Sequence, residues 1–216
     1  YNSAGYYTYT FENDLETAIR ANLDKTHRVA IQLSYPNPDY VAGSIEPANI
    51  RSNPYYDFRF DANLNSVALS DASQTRKVVD MASCNSCHDK LAYHGGGRVD
   101  VQYCVACHNT GLSNRNALDT TEDVAMSTMV HKIHAGRLLS ISAGGEKYKI
   151  RDNSDFSEIG FPQDLRNCTK CHDGSNPKTP QGDNWKKVVT KESCLTCHAK
   201  HTGSAWEMSH KVIASD

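Results

Sequence analysis

No apolar run in this 216-residue chain approaches the roughly 20 residues that cross a bilayer as a helix, so no transmembrane helix is expected. No cluster of basic residues or aromatic stacking platform marks a nucleic-acid surface, and the net charge is only −2. That charge divides as −3 in residues 1–80 and +1 in residues 81–216. Hydrophobic residues make up 38% of the chain, little for a side-chain core. Residues 1–80 contain no cysteine and one histidine. No signal peptide is visible, and Tyr1 reads as the start of a processed or trimmed chain.

What is present is concentrated in residues 81–216, which hold all eight cysteines and nine of the ten histidines. The pentapeptide Cys-x-x-Cys-His occurs four times: Cys84–His88, Cys104–His108, Cys168–His172 and Cys194–His198. The cysteines are Cys84, Cys87, Cys104, Cys107, Cys168, Cys171, Cys194 and Cys197, so none remains for a disulfide or a reactive thiol. The pattern is the attachment signature of c-type haem: two thiols add across the porphyrin vinyl groups, and the adjacent histidine becomes the proximal iron ligand. A zinc ribbon also uses paired Cys-x-x-Cys, and Cys87 to Cys104 has its spacing. It does not need histidine directly after every second cysteine, so four covalently bound haem c groups are the expected cofactors.

The cysteine boundary predicts two domains, residues 1–80 and 81–216. In the first, Tyr7, Tyr9 and Phe11, then Val29, Ile31 and Leu33, then Tyr56, Phe58 and Phe60 alternate with more polar neighbours, the period of half-buried strands. Pro36-Asn37-Pro38-Asp39 and Ser52-Asn53-Pro54 read as turns, and Leu15–Leu23 as a short helix. The expected class is α+β with low regular secondary structure: a small antiparallel β-sandwich or barrel, then a mostly loop, few-helix multihaem domain. Flat porphyrins would replace part of that domain's core, so it is expected not to fold without them. One helix is expected there, from Glu122 to Ala135, capped by Asp119 or Thr120 and stopped by Gly136. Lys147–Ile150 reads as a short strand, and residues 173–184 as loop.

The sixth iron ligand separates a closed electron-transfer centre from an open catalytic one. His88, His108, His172 and His198 are proximal, which leaves His27, His94, His131, His134, His201 and His210. His131 and His134 lie three apart on one helix face, suited to two adjacent haems. His94 precedes Gly95-Gly96-Gly97, where backbone can approach a flat ring. His201, three residues past His198, is poorly placed for that same iron, whereas His210 has chain enough to turn back. The expected distal set is therefore His94, His131, His134 and His210. Methionine is scarce, and Met81, Met126, Met129 and Met208 read as core filler. Four bis-histidine irons leave no open position, which predicts an electron conduit and not an enzyme. The competing readings are a multihaem oxidoreductase of nitrite or hydroxylamine type, with one open haem, and a monomeric periplasmic shuttle. Because c-type haem is attached outside the bacterial inner membrane, the expected location is extracellular or on the outer-membrane surface, with the periplasm as the alternative.

These segments resemble the extracellular multihaem cytochromes of metal-reducing bacteria, the OmcA/MtrC family. The resemblance rests on Cys84–His88 followed by His94-Gly-Gly-Gly-Arg98, on Tyr103–Asn109, on Met129-Val-His-Lys-Ile-His134 and on Phe161-Pro-Gln-Asp164 leading into Cys168. Thr8-Tyr-Thr-Phe11, Thr26-His-Arg-Val29 and Tyr56-Asp-Phe58 are similar too. It implies a β-barrel domain beside a multihaem domain, with His94, His131 and His134 as distal ligands. It also implies delivery of respiratory electrons to metal oxides, soluble shuttles, electrodes or other cytochromes. The family usually carries ten haems in two five-haem modules, whereas this chain has one module with four motifs. A homopolymeric filament, with His27 or His201 serving a neighbouring copy's iron, is a further expectation of that kind.

Overall fold

The computed structural model describes residues 4–45, 47–110, 113–115, 121–142, 145, 147–150, 154–188 and 196. Cys194, Cys197, His198, His201 and His210 lie outside them, as do the expected caps Asp119 and Thr120. The contacts group the chain into two units, Tyr1–Val29 with Tyr56–Thr75, and Ala30–Tyr55 with Arg76–Asp216.

The first unit carries helix α1 (Glu16–Arg20), within the stretch expected to be helical, and sheet strands β1 (His27–Ala30), β4 (Tyr55–Phe60) and β5 (Ser66–Ala68) in the order β1-β4-β5. β4 and β5 are antiparallel, with Phe58 opposite Ala68 and Phe60 opposite Ser66. Alternation turns Phe58 inward, where it is 8% exposed, and its ring packs against Phe60 and His27. The Arg28 guanidinium forks onto Asp57 at 2.6 and 2.8 Å, a two-pronged pairing inside the sheet. The alternation at Tyr7–Phe11 does not become a strand. These residues are exposed, and Tyr9 and Phe11 meet edge to face. Period two forms a strand only where a neighbouring strand takes up its backbone groups, and among the described residues none does so here.

The second unit opens with a hairpin of β2 (Leu33–Pro36) and β3 (Asn49–Ser52), registered Leu33 to Ser52 and Pro36 to Asn49. The strand expected across Val29–Leu33 is thus broken, β1 ending at Ala30 and β2 starting at Leu33. Helices α2 (Met81–His88), α3 (Val101–Cys107), α4 (Met126–His134), α5 (Gly136–Ile141) and α6 (Asn184–Lys187) follow. Two short antiparallel pairs complete it, β6 (Ser113–Arg115) with β7 (Thr121–Asp123), and β8 (Lys149–Ile150) with β9 (Ser154–Asp155). The architecture is α+β with little regular structure, and among the described residues the small antiparallel sheets stay open without closing into a barrel.

Two boundaries differ from expectation. The predicted first turn of the long helix is β7, and α4 starts only at Met126. There the Asp123 carboxylate accepts from Ala125 N–H at 2.8 Å and from the Thr128 hydroxyl at 2.6 Å. Gly136 is not a stop but the first residue of α5. It is glycine because a Cβ there would meet the Phe156 carbonyl oxygen at 1.9 Å. α2 and α3 were not anticipated at all.

The buried apolar side chains of this unit are few. Val101, Val124, Ala125, Ala135, Leu139 and Tyr148 are enclosed, while Leu138, Ile141, Ile159 and Leu165 remain exposed. Tyr148 is wholly buried and donates its hydroxyl to the Asp123 carbonyl at 2.8 Å, with the Lys132 ammonium over its ring.

Candidate haem-ligation site

Each described attachment motif sits on a short helical turn, and the first two are capped by an aspartate side chain. Asp80 caps α2 by accepting from Ala82 N–H, which sets Cys84 and Cys87 on one helix ending at His88. Asp100 caps α3 through Gln102 N–H at 2.6 Å, and His108 closes that turn by donating its N–H to Cys104. The third motif lies on the 3₁₀ turn Cys168–Lys170, and His172 N–H closes onto the Cys168 carbonyl at 2.9 Å. One helical turn is what the chemistry needs. It brings both thiols and the following imidazole to the same side of the backbone.

Opposite each of these three motif histidines stands one of the histidines picked out as distal. The His88 and His134 rings are 5.9 Å apart, His108 and His94 6.1 Å, and His172 and His131 6.0 Å. Two metal–imidazole bonds of about 2.0 Å, each with about 1.1 Å more to the ring centre, put coaxial ligand rings about 6.2 Å apart. The three gaps fit a metal held between two imidazoles. His131 and His134 lie opposite two different motifs, the third and the first, and His94 lies opposite the motif after its own. His27 is engaged otherwise: its Nε2 lies 3.1 Å from the Asn22 carbonyl and its ring packs on Phe60 at 5.0 Å.

The ring nitrogens are sorted by their second partners. Nδ1 of His131 meets the Ser127 carbonyl at 2.5 Å, Nδ1 of His134 the Val130 carbonyl at 2.8 Å, and Nδ1 of His108 the Val124 carbonyl at 2.8 Å. An Nδ1–H donating to a carbonyl leaves the Nε2 lone pair for iron and makes the ring a better ligand. Burial, and then the neighbouring His131, push the His172 imidazole pKa down, towards the neutral form that binds metal. Phe161 meets the His134 ring edge to face at 5.4 Å and helps hold its rotamer. Burial raises the Cys84 thiol to about 11 and the Cys104 and Cys171 thiols in the same direction. A folded, haem-free chain would therefore present poor nucleophiles. Among the described residues no three His, Cys, Asp or Glu side chains converge as a zinc site requires.

Sequence reasoning missed the Val124 carbonyl that orients His108, and the Asn53 amide beside the His94 loop, 3.0 Å from Gly97 O. Backbone acceptors leave no trace in a sequence, and Asn53 was read only as part of a turn.

Among solved structures none matches this chain. Multiheme cytochrome MtrC of Shewanella baltica (strain OS185) is 28% identical over 200 residues, which is 90% of this chain and 24% of the relative. The chain thus spans about a quarter of that relative's length. A family model described as outer membrane cytochrome MtrC/MtrF-like, domains II/IV, matches residues 76–215, and the chain belongs to that family.

Proposed function

We propose that the chain is a tetrahaem electron-transfer module whose irons are each held between two histidines. The three ring pairs at 5.9–6.1 Å are the observation that carries this reading. Cys84, Cys87, Cys104, Cys107, Cys168, Cys171, Cys194 and Cys197 form the thioethers. His88, His108, His172 and His198 bind from the proximal side, with His134, His94, His131 and His210 their respective distal partners. When bound, haem iron supplies a one-electron Fe(III)/Fe(II) couple.

The chain's own residues set how that couple is used. Imidazole on both sides denies small ligands an iron position and changes little between the two oxidation states, which favours outer-sphere transfer. α4 carries the distal ligands of two sites one helical turn apart, so it fixes their spacing. With His134 opposite His88 and His131 opposite His172, that helix supports the first and third sites as neighbours. Electrons would thus cross the module with no moving part. The acceptors are external: metal oxides, soluble shuttles, electrodes or other cytochromes. The location is extracellular or at the outer-membrane surface, and the cysteine-free residues 1–80 form a supporting domain. Among the described residues no helix is long and apolar enough to cross a membrane.

The test is ligand exclusion combined with turnover. Reduced protein should refuse carbon monoxide and lose four electrons per chain to a soluble ferric chelate. A stoichiometric carbon monoxide adduct on the unmodified protein would instead favour an open-site oxidoreductase.

A further inference from the structure

We propose that Asn53, on the cysteine-free side of the sequence, is the positioning residue that aims His94 at the iron of the Cys104–His108 motif. This rests on the ligand assignment above, because it concerns how one of those ligands is held.

His94 sits in an unusual piece of backbone. His94, Gly95 and Gly96 have φ of +53°, +75° and +78°, three consecutive residues in the left-handed region that costs a side-chain-bearing residue most. Nothing lies within 4 Å of where a Cβ would stand on Gly95 or Gly96, so these two glycines add no packing at the tip of the loop. Its neck is a single bridge, with Tyr93 N–H donating to the Arg98 carbonyl at 3.0 Å and Arg98 N–H to the Tyr93 carbonyl at 3.2 Å. A four-residue loop joined through that bridge can pivot about it unless its exit is held.

Asn53 removes the pivot. Its side chain, on a residue only 5% exposed, donates Nδ2–H to the Gly97 carbonyl at 3.0 Å and accepts the Val99 N–H on Oδ1 at 2.7 Å. The amide therefore grips the strand leaving the loop at two points either side of Arg98, using one donor and one acceptor. A carboxamide offers both, uncharged, from one planar group. One residue beyond the grip is Asp100, the cap of α3, which carries Cys104, Cys107 and then His108. The chain between the distal and proximal ligands of one iron is thus clamped at its middle. The pair it sets stands 6.1 Å apart with ring planes 32° from parallel. Gln32 adds a weaker contact, accepting from Arg98 Nε at 3.4 Å.

The experiment compares three variants of the holoprotein, Asn53→Ala, Asn53→Asp and His94→Ala, after verifying that covalent haem is complete in each. The readout is carbon monoxide bound per chain after reduction. His94→Ala should bind one equivalent and the parent none. Asn53→Ala should bind most of one equivalent, and free imidazole should suppress that binding. Asn53→Asp keeps the acceptor but loses the donor to Gly97, and should also open the site; it decides the matter if the alanine variant is not recovered folded. Asparagine variants that bind no carbon monoxide, beside a His94→Ala that does, would overturn the role of Asn53. A silent His94→Ala would overturn the ligand assignment itself, and this inference with it.

Discussion

Gly136→Ala is the substitution whose cost can be worked most fully from the packing. A Cβ at this position would lie 1.9 Å from the Phe156 carbonyl oxygen and 2.8 Å from its carbon. Relaxed C···O contacts run about 3.3–3.6 Å, so the two segments must part by roughly 1.5 Å. The obstacle is backbone that cannot rotate aside. Phe156 N–H donates to Tyr148 at 3.1 Å, Ile159 N–H to Phe156 at 3.0 Å, and Arg137 N–H to Ile159 at 2.9 Å. Straining two or three such bonds, each about 1 kcal/mol, together with overpacking gives a cost of about 3 kcal/mol. Alanine recovers up to about 1 kcal/mol through helix propensity, leaving a net loss of about 2 kcal/mol. For a chain of this size that lowers the melting temperature by about 4–8 °C. Far-UV circular dichroism and the haem absorption, followed together on heating, should both report the fall. A variant melting at or above the parent temperature would refute the close approach of α5 to Phe156. The prediction touches function because Gly136 directly follows Ala135, the residue joining α4 with its two histidines to α5.

Two further outcomes follow from the ring pairs, and a third from the buried Tyr148 hydroxyl. His131→Ala and His134→Ala should each open one iron and the double variant two, read as carbon monoxide equivalents. A double variant that opens only one site would mean both residues face the same motif. Ligand-plane angles of 67° for His88–His134, against 32° and 20° for His94–His108 and His131–His172, should separate the sites in low-temperature electron paramagnetic resonance. Crossed planes leave the iron dxz and dyz orbitals nearly degenerate, so the first site should give the most anisotropic low-spin signal, and His134→Ala should abolish that signal alone; loss of a rhombic signal instead would contradict the pairing. Tyr148→Phe should cost about 1 kcal/mol in a thermal melt, since it removes the hydroxyl's hydrogen bond to the Asp123 carbonyl, and a neutral effect would show that water replaces the hydroxyl.

The site was legible in the sequence to the extent that its chemistry is local. Cys-x-x-Cys-His encodes two thioether positions and a ligand within five residues, and His131 and His134 declare a shared helix face by their spacing. The pairing of rings was not legible, because His94 crosses to the next motif and α4 reaches the first and third, relations that only the folded chain sets. α2 escaped notice because its eight residues, rich in cysteine, serine and asparagine, carry no apolar period, and α3 because seven residues are too few to establish one. Their caps, Asp80 and Asp100, were the available signal. Tyr7–Phe11 shows the opposite failure, a strand pattern that does not form a strand. Gly136 looked like a helix stop because glycine often is one, but here it answers to Phe156, twenty residues further on.

The most direct test of bis-imidazole ligation is near-infrared magnetic circular dichroism of the oxidised protein at low temperature, integrated per chain. Four low-spin irons, all with two imidazole ligands, are predicted. Fewer than four haems, or any substantial high-spin or methionine-ligated fraction in the unmodified protein, would contradict the account.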